Sequence, residues 1–220
     1  MNAARPLLTV DIVSDIVCPW CIIGYKQLVR ASRMIEDRAG IAVRWHPFQL
    51  APGLGAGGQT IADYTRDRYG ATPEQGRGHR ARIVDLGKSL GIDFRTNEDS
   101  RIYNSHRAHE LLMWAADSGK QTPLKMALFE AYFTDQTDIS DEAILIAAVK
   151  RAGLDIDDAH AVLADGRFAE AVDTEIAYWQ DQNVTGVPAF VINGKYIIPG
   201  AQDAEVFVQV LEKVLDKEGG

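Results

Sequence analysis

The apolar positions along the chain change their period twice. Near the N-terminus Leu7-Leu8-Thr9-Val10-Asp11-Ile12-Val13 is a short run rich in branched apolar residues, the pattern of a largely buried strand. After Cys18-Pro19-Trp20-Cys21 the spacing becomes helical, with Ile22, Tyr25, Leu28, Val29, Ser32 and Ile35 in register, and Gly40 is the expected stop. Ile41 through Phe48 reads as a second strand, and strand, helix, strand predicts a parallel βαβ pair. Pro52 through Gly58 is a cluster of breakers and marks a boundary. From there to Asp165 nearly every signal is helical. Thr60 heads a helix that stops at Gly70, and Thr72-Pro73 heads one that carries Ile83, Leu86 and Leu90. Asn104, Thr122-Pro123, Ser140 and Asp155 each open another.

Arg167 through Gln182 is one more helix, and then the strand pattern returns. Ala189-Phe190-Val191-Ile192 and Lys195-Tyr196-Ile197-Ile198 are joined by Asn193-Gly194, the pair favoured where both turn residues need φ > 0. Asp203 caps a last amphipathic helix with Val206, Phe207, Val210, Leu211 and Val214 on one side. The order predicts an α/β fold in two halves, residues 7–56 and 167–217, with a helical domain, residues 57–166, inserted between them.

The candidate chemistry lies at the first strand-to-helix junction. Cys18 and Cys21 are the only cysteines of the chain. Proline suits the first helical position, so Pro19 puts Cys18 at the N-cap and Cys21 one turn in, on the same face. Free backbone N–H groups and the positive end of the helix dipole then favour a thiolate at Cys18. Such surroundings lower a cysteine pKa from about 8.5 into the range of roughly 3.5–7.5. The reading is a redox-active dithiol at the C-terminal end of a strand, where open α/β sheets keep their sites.

Composition narrows the setting. The chain has 220 residues, 46% of them hydrophobic and 25% charged, as in an ordinary globular protein. A net charge of −8 argues against a nucleic-acid backbone as partner. No apolar run is long enough for a membrane span, and the N-terminal run is broken by Asp11 and Asp15 as no secretory leader would be. The expected address is the cytosol, where a close cysteine pair is catalytic or metal-binding more often than structural.

The cysteine motif, the large helical insert and Thr185-Gly186-Val187-Pro188-Ala189-Phe190-Val191-Ile192-Asn193-Gly194 together resemble the DsbA family of thioredoxin-fold oxidoreductases. Ser14-Asp15-Ile16-Val17-Cys18-Pro19-Trp20-Cys21 is closer to its FrnE-like branch. The resemblance covers essentially the whole chain. It implies a thioredoxin-like fold, Cys18 as attacking and Cys21 as resolving sulfur, and a cis Val187-Pro188 peptide opposite them. It also implies substrates that are protein or small-molecule thiols and disulfides, glutathione among them; the reacting chemistry belongs to the protein's own sulfurs, so no cofactor is expected. Periplasmic members carry histidine where this chain has Trp20. A sister branch, the hydroxychromene-carboxylate isomerases and kappa-class glutathione transferases, usually carries serine where Cys18 stands.

Other residues are candidates for support. Trp20 is expected at the rim of the dithiol, and Trp45, Trp114 and Trp179 in the core. Asp15 reads as a turn or capping residue, or, if partly buried with a raised pKa, as a proton acceptor for Cys21. Asn104 and His106 belong to a segment that resembles the cleft lining of the FrnE-like and isomerase branches, where either would hydrogen-bond a substrate. His106 and His109 otherwise form a polar helix face, or complete a zinc set with the two cysteines. The oligomeric state has no signature in the sequence.

Overall fold

The computed structural model describes residues 5–97 and 99–218. Strand β1 (Leu7–Ser14) runs into helix α1 (Pro19–Met34), and β2 (Gly40–Pro47) returns parallel to β1 with Leu7 opposite Gly40 and Ser14 opposite Pro47. After the insertion come α8 (Ala169–Asp181), β5 (Ala189–Ile192), β6 (Tyr196–Pro199) and α9 (Ala204–Glu218). The sheet order is β2-β1-β5-β6, with β5 antiparallel to both of its neighbours. The hairpin turn has Asn193 and Gly194 at φ 49° and 68°, as its residue types require. This is a thioredoxin-like α/β fold with a helical insertion.

Alternation along β1 divides its side chains between two faces. Leu8, Val10 and Ile12 join Phe190, Ile192, Phe207 and Leu211 in one core beneath α1 and α9. Val13 joins Ala189, Val191, Phe48, Trp179 and Val184 in a smaller cluster that includes α8. Helix α1 approaches the sheet closely at Gly24, where a Cβ would lie 2.8 Å from the Phe190 ring. β1, at the centre, is covered on both faces, so its C-terminal end is a rigid platform for the cysteines.

The insertion contains α2 (Ile61–Tyr69), α3 (Pro73–Ser89), α4 (His106–Ala116), α5 (Gln121–Phe133), α6 (Glu142–Arg151) and α7 (Ile156–Asp165). Thr60, Thr72 and Asp155 cap their helices as expected, Thr72 in a reciprocal box with Gln75. Other boundaries move for identifiable reasons. Gly40 does not stop α1, which ends at Met34 with Ile35 as its C-cap; it opens β2 beside Leu7. Thr122 lies inside α5, and its hydroxyl accepts from the Trp45 indole N–H instead. Asp141, not Ser140, caps α6; at α4 Ser105 occupies the N-cap position without a side-chain bond, and Asn104, one residue earlier, accepts the His106 N–H at 2.8 Å. A two-residue ribbon, β3 (Gln59–Thr60) with β4 (Arg101–Ile102), joins the two ends of the α2–α3 excursion. Helices α4 and α5 both touch β2, which carries the insertion onto the dithiol end of the sheet.

Candidate active site

Cys18 is the N-cap of α1, in extended conformation, with Pro19 in the first turn. The Cys21 N–H donates to the Cys18 carbonyl at 3.1 Å, which closes the turn and holds both sulfurs on one face. Both are free thiols; Cys18 retains 4% exposure and Cys21 none. The Cys18 thiol lies 3.7 Å from the Val187 carbonyl oxygen, and the Val187–Pro188 peptide is cis. Trp20 is half-buried. His79 of α3 packs on it at 5.7 Å between ring centroids, and the Arg82 guanidinium lies 5.9 Å from the ring centre. The insertion thus forms one wall beside the dithiol, and the β5 loop forms another.

Behind the sulfurs lies a polar group set in an apolar interior. Asp15 is fully buried; one oxygen accepts the Leu50 N–H at 2.7 Å, and the other lies 3.5 Å from His109 Nε2. His109 Nε2 is also 3.0 Å from the Phe48 carbonyl, an acceptor, so this nitrogen carries the hydrogen. Burial alone would raise the Asp15 pKa, but His109, the Leu50 N–H and Ser105 outweigh it and hold the carboxyl below its ordinary range. Burial pushes His109 down, so the pair is a carboxylate beside a neutral imidazole. The expectation of Asp15 as a proton acceptor with a raised pKa is therefore corrected. A pinned, ionised carboxylate has little appetite for a proton.

The residue that sequence reasoning missed is Lys125. It sits on the buried face of α5 between Leu124 and Ala127, with 0% exposure. Its ammonium donates to the Ser14 carbonyl at 3.4 Å and lies 5.3 Å and 5.1 Å from the Trp45 and Phe129 ring centres. Burial pushes its pKa down to about 8, against the pull of Cys21, Asp15 and Cys18. The one signal available was a lysine inside an otherwise apolar helix face.

The sulfurs titrate as a pair. The neighbouring Cys21 sulfur, together with burial, pushes the Cys18 thiol well above a free cysteine. At Cys21 burial opposes ionisation, but the Cys18 S–H, the otherwise unpartnered Ser14 hydroxyl and the Lys125 charge outweigh it and pull the pKa down. The helix end was expected to place the anion on Cys18. The shifts run the other way: Lys125 and Ser14, on the Cys21 side, favour the thiolate at Cys21 over Cys18.

Asn104 and His106 are spent elsewhere. The Asn104 side chain accepts from Gln49 at 3.0 Å and donates to the Pro52 carbonyl at 2.8 Å, bracing the loop after β2. His106 has Glu110 at 3.3 Å and Asp173 at 3.1 Å, tying α4 to α8. With His109 on Phe48, the imidazoles that a zinc set would draw on are engaged. Among the described residues no group of three or more His, Cys, Asp and Glu could hold a metal ion.

A paired cysteine at the start of α1, faced by a cis-proline loop at the head of β5, defines a thioredoxin-fold protein. The DSBA-like thioredoxin domain model matches residues 9–212, and the chain belongs to that family. The probable DsbA oxidoreductase SCO1869 of Streptomyces coelicolor superposes with a TM-score of 0.87 at 31% identity, over 94% of this chain and 89% of that one. The uncharacterized protein YwbO of Bacillus subtilis (strain 168) is 23% identical over 92% of this chain and 94% of its own. The cytosolic disulfide reductase DsbM of Pseudomonas aeruginosa, in a structure with GSH, shares the fold at a TM-score of 0.63 and 16% identity, over 94% of this chain and 98% of that one.

Proposed function

We propose that this protein is a thiol–disulfide oxidoreductase in which Cys18 attacks and Cys21 resolves. The observation that carries the reading is the asymmetry of the pair: Cys18 caps the helix at the cleft, and Cys21 is fully covered behind it. Only Cys18 offers a sulfur to a substrate. The proton the two sulfurs share crosses to Cys21, and the charge moves to Cys18 for attack. Cys18 forms a bond to one sulfur of a substrate disulfide, and the other sulfur leaves as a thiolate and takes up a proton. Cys21, having lost its proton, then bonds to Cys18 and expels the second substrate thiol. The substrate disulfide gains two electrons and the protein dithiol loses them; the reverse sequence passes the disulfide on.

The Val187 carbonyl beside the Cys18 sulfur supports an extended substrate lying across the β5 loop, paired through its backbone. Trp20 offers the substrate a flat apolar rim. DsbM, described as a cytosolic disulfide reductase and seen with GSH, makes a small peptide thiol a natural candidate and the cytosol the proposed address. Among the described residues no helix is long and apolar enough to cross a membrane.

Trapping tests the roles. Incubated with a disulfide substrate, Cys21→Ser is expected to accumulate the mixed disulfide at Cys18, and Cys18→Ser to accumulate none. Equal adducts on both variants, or full turnover by Cys18→Ser, would sink the assignment.

A further inference from the structure

Attack leaves Cys21 as a buried thiol that must lose its proton before it can release the substrate, and Asp15 is engaged as a carboxylate. We infer that Lys125, presented by the helical insertion, is the positioning residue for this second step: it supplies the positive charge that holds Cys21 as a thiolate. The inference rests on the dithiol reading above and adds to it a residue from outside the sheet and α1.

The geometry carries the argument. Lys125 is wholly buried, and its one hydrogen bond among the described residues is a long one, 3.4 Å to the Ser14 carbonyl. A buried ammonium is costly unless a charge compensates it. The aromatic faces of Trp45 and Phe129 compensate it in part. Ser14 links it to the dithiol: the carbonyl takes the ammonium, and the hydroxyl, unpartnered otherwise, serves Cys21. The titratable groups that act on this centre are Cys18 and Cys21 of α1, Asp15 of the β1–α1 turn, His109 of α4 and Tyr132 of α5 itself. Asp15 is already paired with the Leu50 N–H and leans on His109. Cys21 is the anion left for Lys125. Tyr132 stays protonated, its pKa pushed far up by burial.

In the mixed disulfide the Cys21 S–H loses its proton, which ends on the leaving substrate thiolate. The Cys21 sulfur bonds to Cys18 Sγ as the Cys18–substrate S–S bond breaks. Lys125 keeps its own proton throughout; its charge lowers the cost of the buried thiolate between those events. Without it, attack at Cys18 still has the helix end, and release has no counter-charge.

The test separates release from attack. In Lys125→Met, an apolar side chain of similar length, the mixed disulfide at Cys18 is expected to persist, its release slowed by about tenfold or more at neutral pH. The pH at which Cys21 ionises, read by thiolate absorbance in a Cys18→Ser background, is expected to rise. A merely structural lysine would move neither. Unchanged release and unchanged Cys21 ionisation in folded Lys125→Met would overturn the inference while leaving the dithiol reading intact. Absence of any mixed disulfide in Cys21→Ser would fell both. Should Lys125→Met fail to fold, the converse measurement uses Cys21→Ala. Lys125 titrated by heteronuclear NMR is expected to ionise lower than in the native protein, where it sits at about 8. An unchanged value would overturn the inference.

Discussion

Strand β1 and the turn after it carry two buried aspartates, and each faces a histidine, yet the two pairs end in opposite states. Asp11 meets His46 at 2.8 Å and the Arg44 guanidinium at 2.6 Å, and the other nitrogen of His46 contacts Glu175 of α8. Burial opposes charge at His46, but two carboxylates outweigh it, so its pKa is raised, and Asp11 is held down to about 2 against its own burial. Asp15 meets His109 in a fully buried setting with no second carboxylate acting on the ring among the described residues, and there burial wins and the imidazole stays neutral. The first pair is a clamp between the sheet and α8, with the His46 ring packed on Trp179 at 4.9 Å. The second lies behind the dithiol, where an added imidazolium would compete with Lys125 for the same anions. The same residue types do different work because the number of opposing charges and the depth of burial differ.

The largest effect that could break this comparison is at Asp15. Asp15→Ala strands the Leu50 N–H, leaves His109 without its carboxylate and removes a buried negative charge that, after Cys21, supports Lys125. It is expected to cost about 3–5 kcal/mol in urea denaturation at neutral pH. A loss under about 1 kcal/mol would mean the buried charges are not mutually dependent.

The two histidines sharpen the comparison by sign. His46, raised in the fold, contributes stability that is fully present below its ordinary value of 6.5 and is lost as pH rises through its higher folded value. His109, lowered in the fold, does the reverse: the unfolded chain takes the proton more readily, so stability falls as pH drops below 6.5. Denaturation of His46→Gln against native is therefore expected to show a deficit that shrinks as pH rises. The deficit of His109→Gln is expected to shrink as pH falls. Slopes of the same sign would contradict the assignment of one charged and one neutral imidazole.

The smallest effect is at Arg44. Its side chain is 60% exposed, so solvent screens its bond to Asp11. Arg44→Gln is expected to cost no more than about 0.5 kcal/mol in the same assay. A loss of several times that would make Arg44, not His46, the principal partner of Asp11.

What could be read from the sequence follows the same division. Local signals were legible: Thr60, Thr72 and Asp155 cap their helices, Pro19 sets the start of α1, and Asn193-Gly194 makes the hairpin. Each depends on a few neighbouring residues. The dithiol was legible because its spacing is local too. Lys125 was not, nor was the pairing of His109 with Asp15, since the state of a buried polar group is defined by what packs on it from far along the chain. Thr122 misled because a side chain able to cap a helix was taken by a tertiary partner, Trp45; Asn104 does accept the first N–H of α4, that of His106, besides holding Gln49 and Pro52. The helix end, which favours a thiolate at Cys18, is visible in the sequence; Lys125, which favours one at Cys21, is not.

The central claim is that Cys18 and Cys21 are one redox couple. Its most direct measurement is the native protein equilibrated across glutathione buffers from fully reducing to fully oxidising, quenched with acid and read by mass spectrometry. The account predicts one two-electron transition to an intramolecular Cys18–Cys21 disulfide, with neither Cys→Ser variant able to make it. A native protein that remained a dithiol across the whole series, or collected only glutathione adducts on separate cysteines, would contradict it.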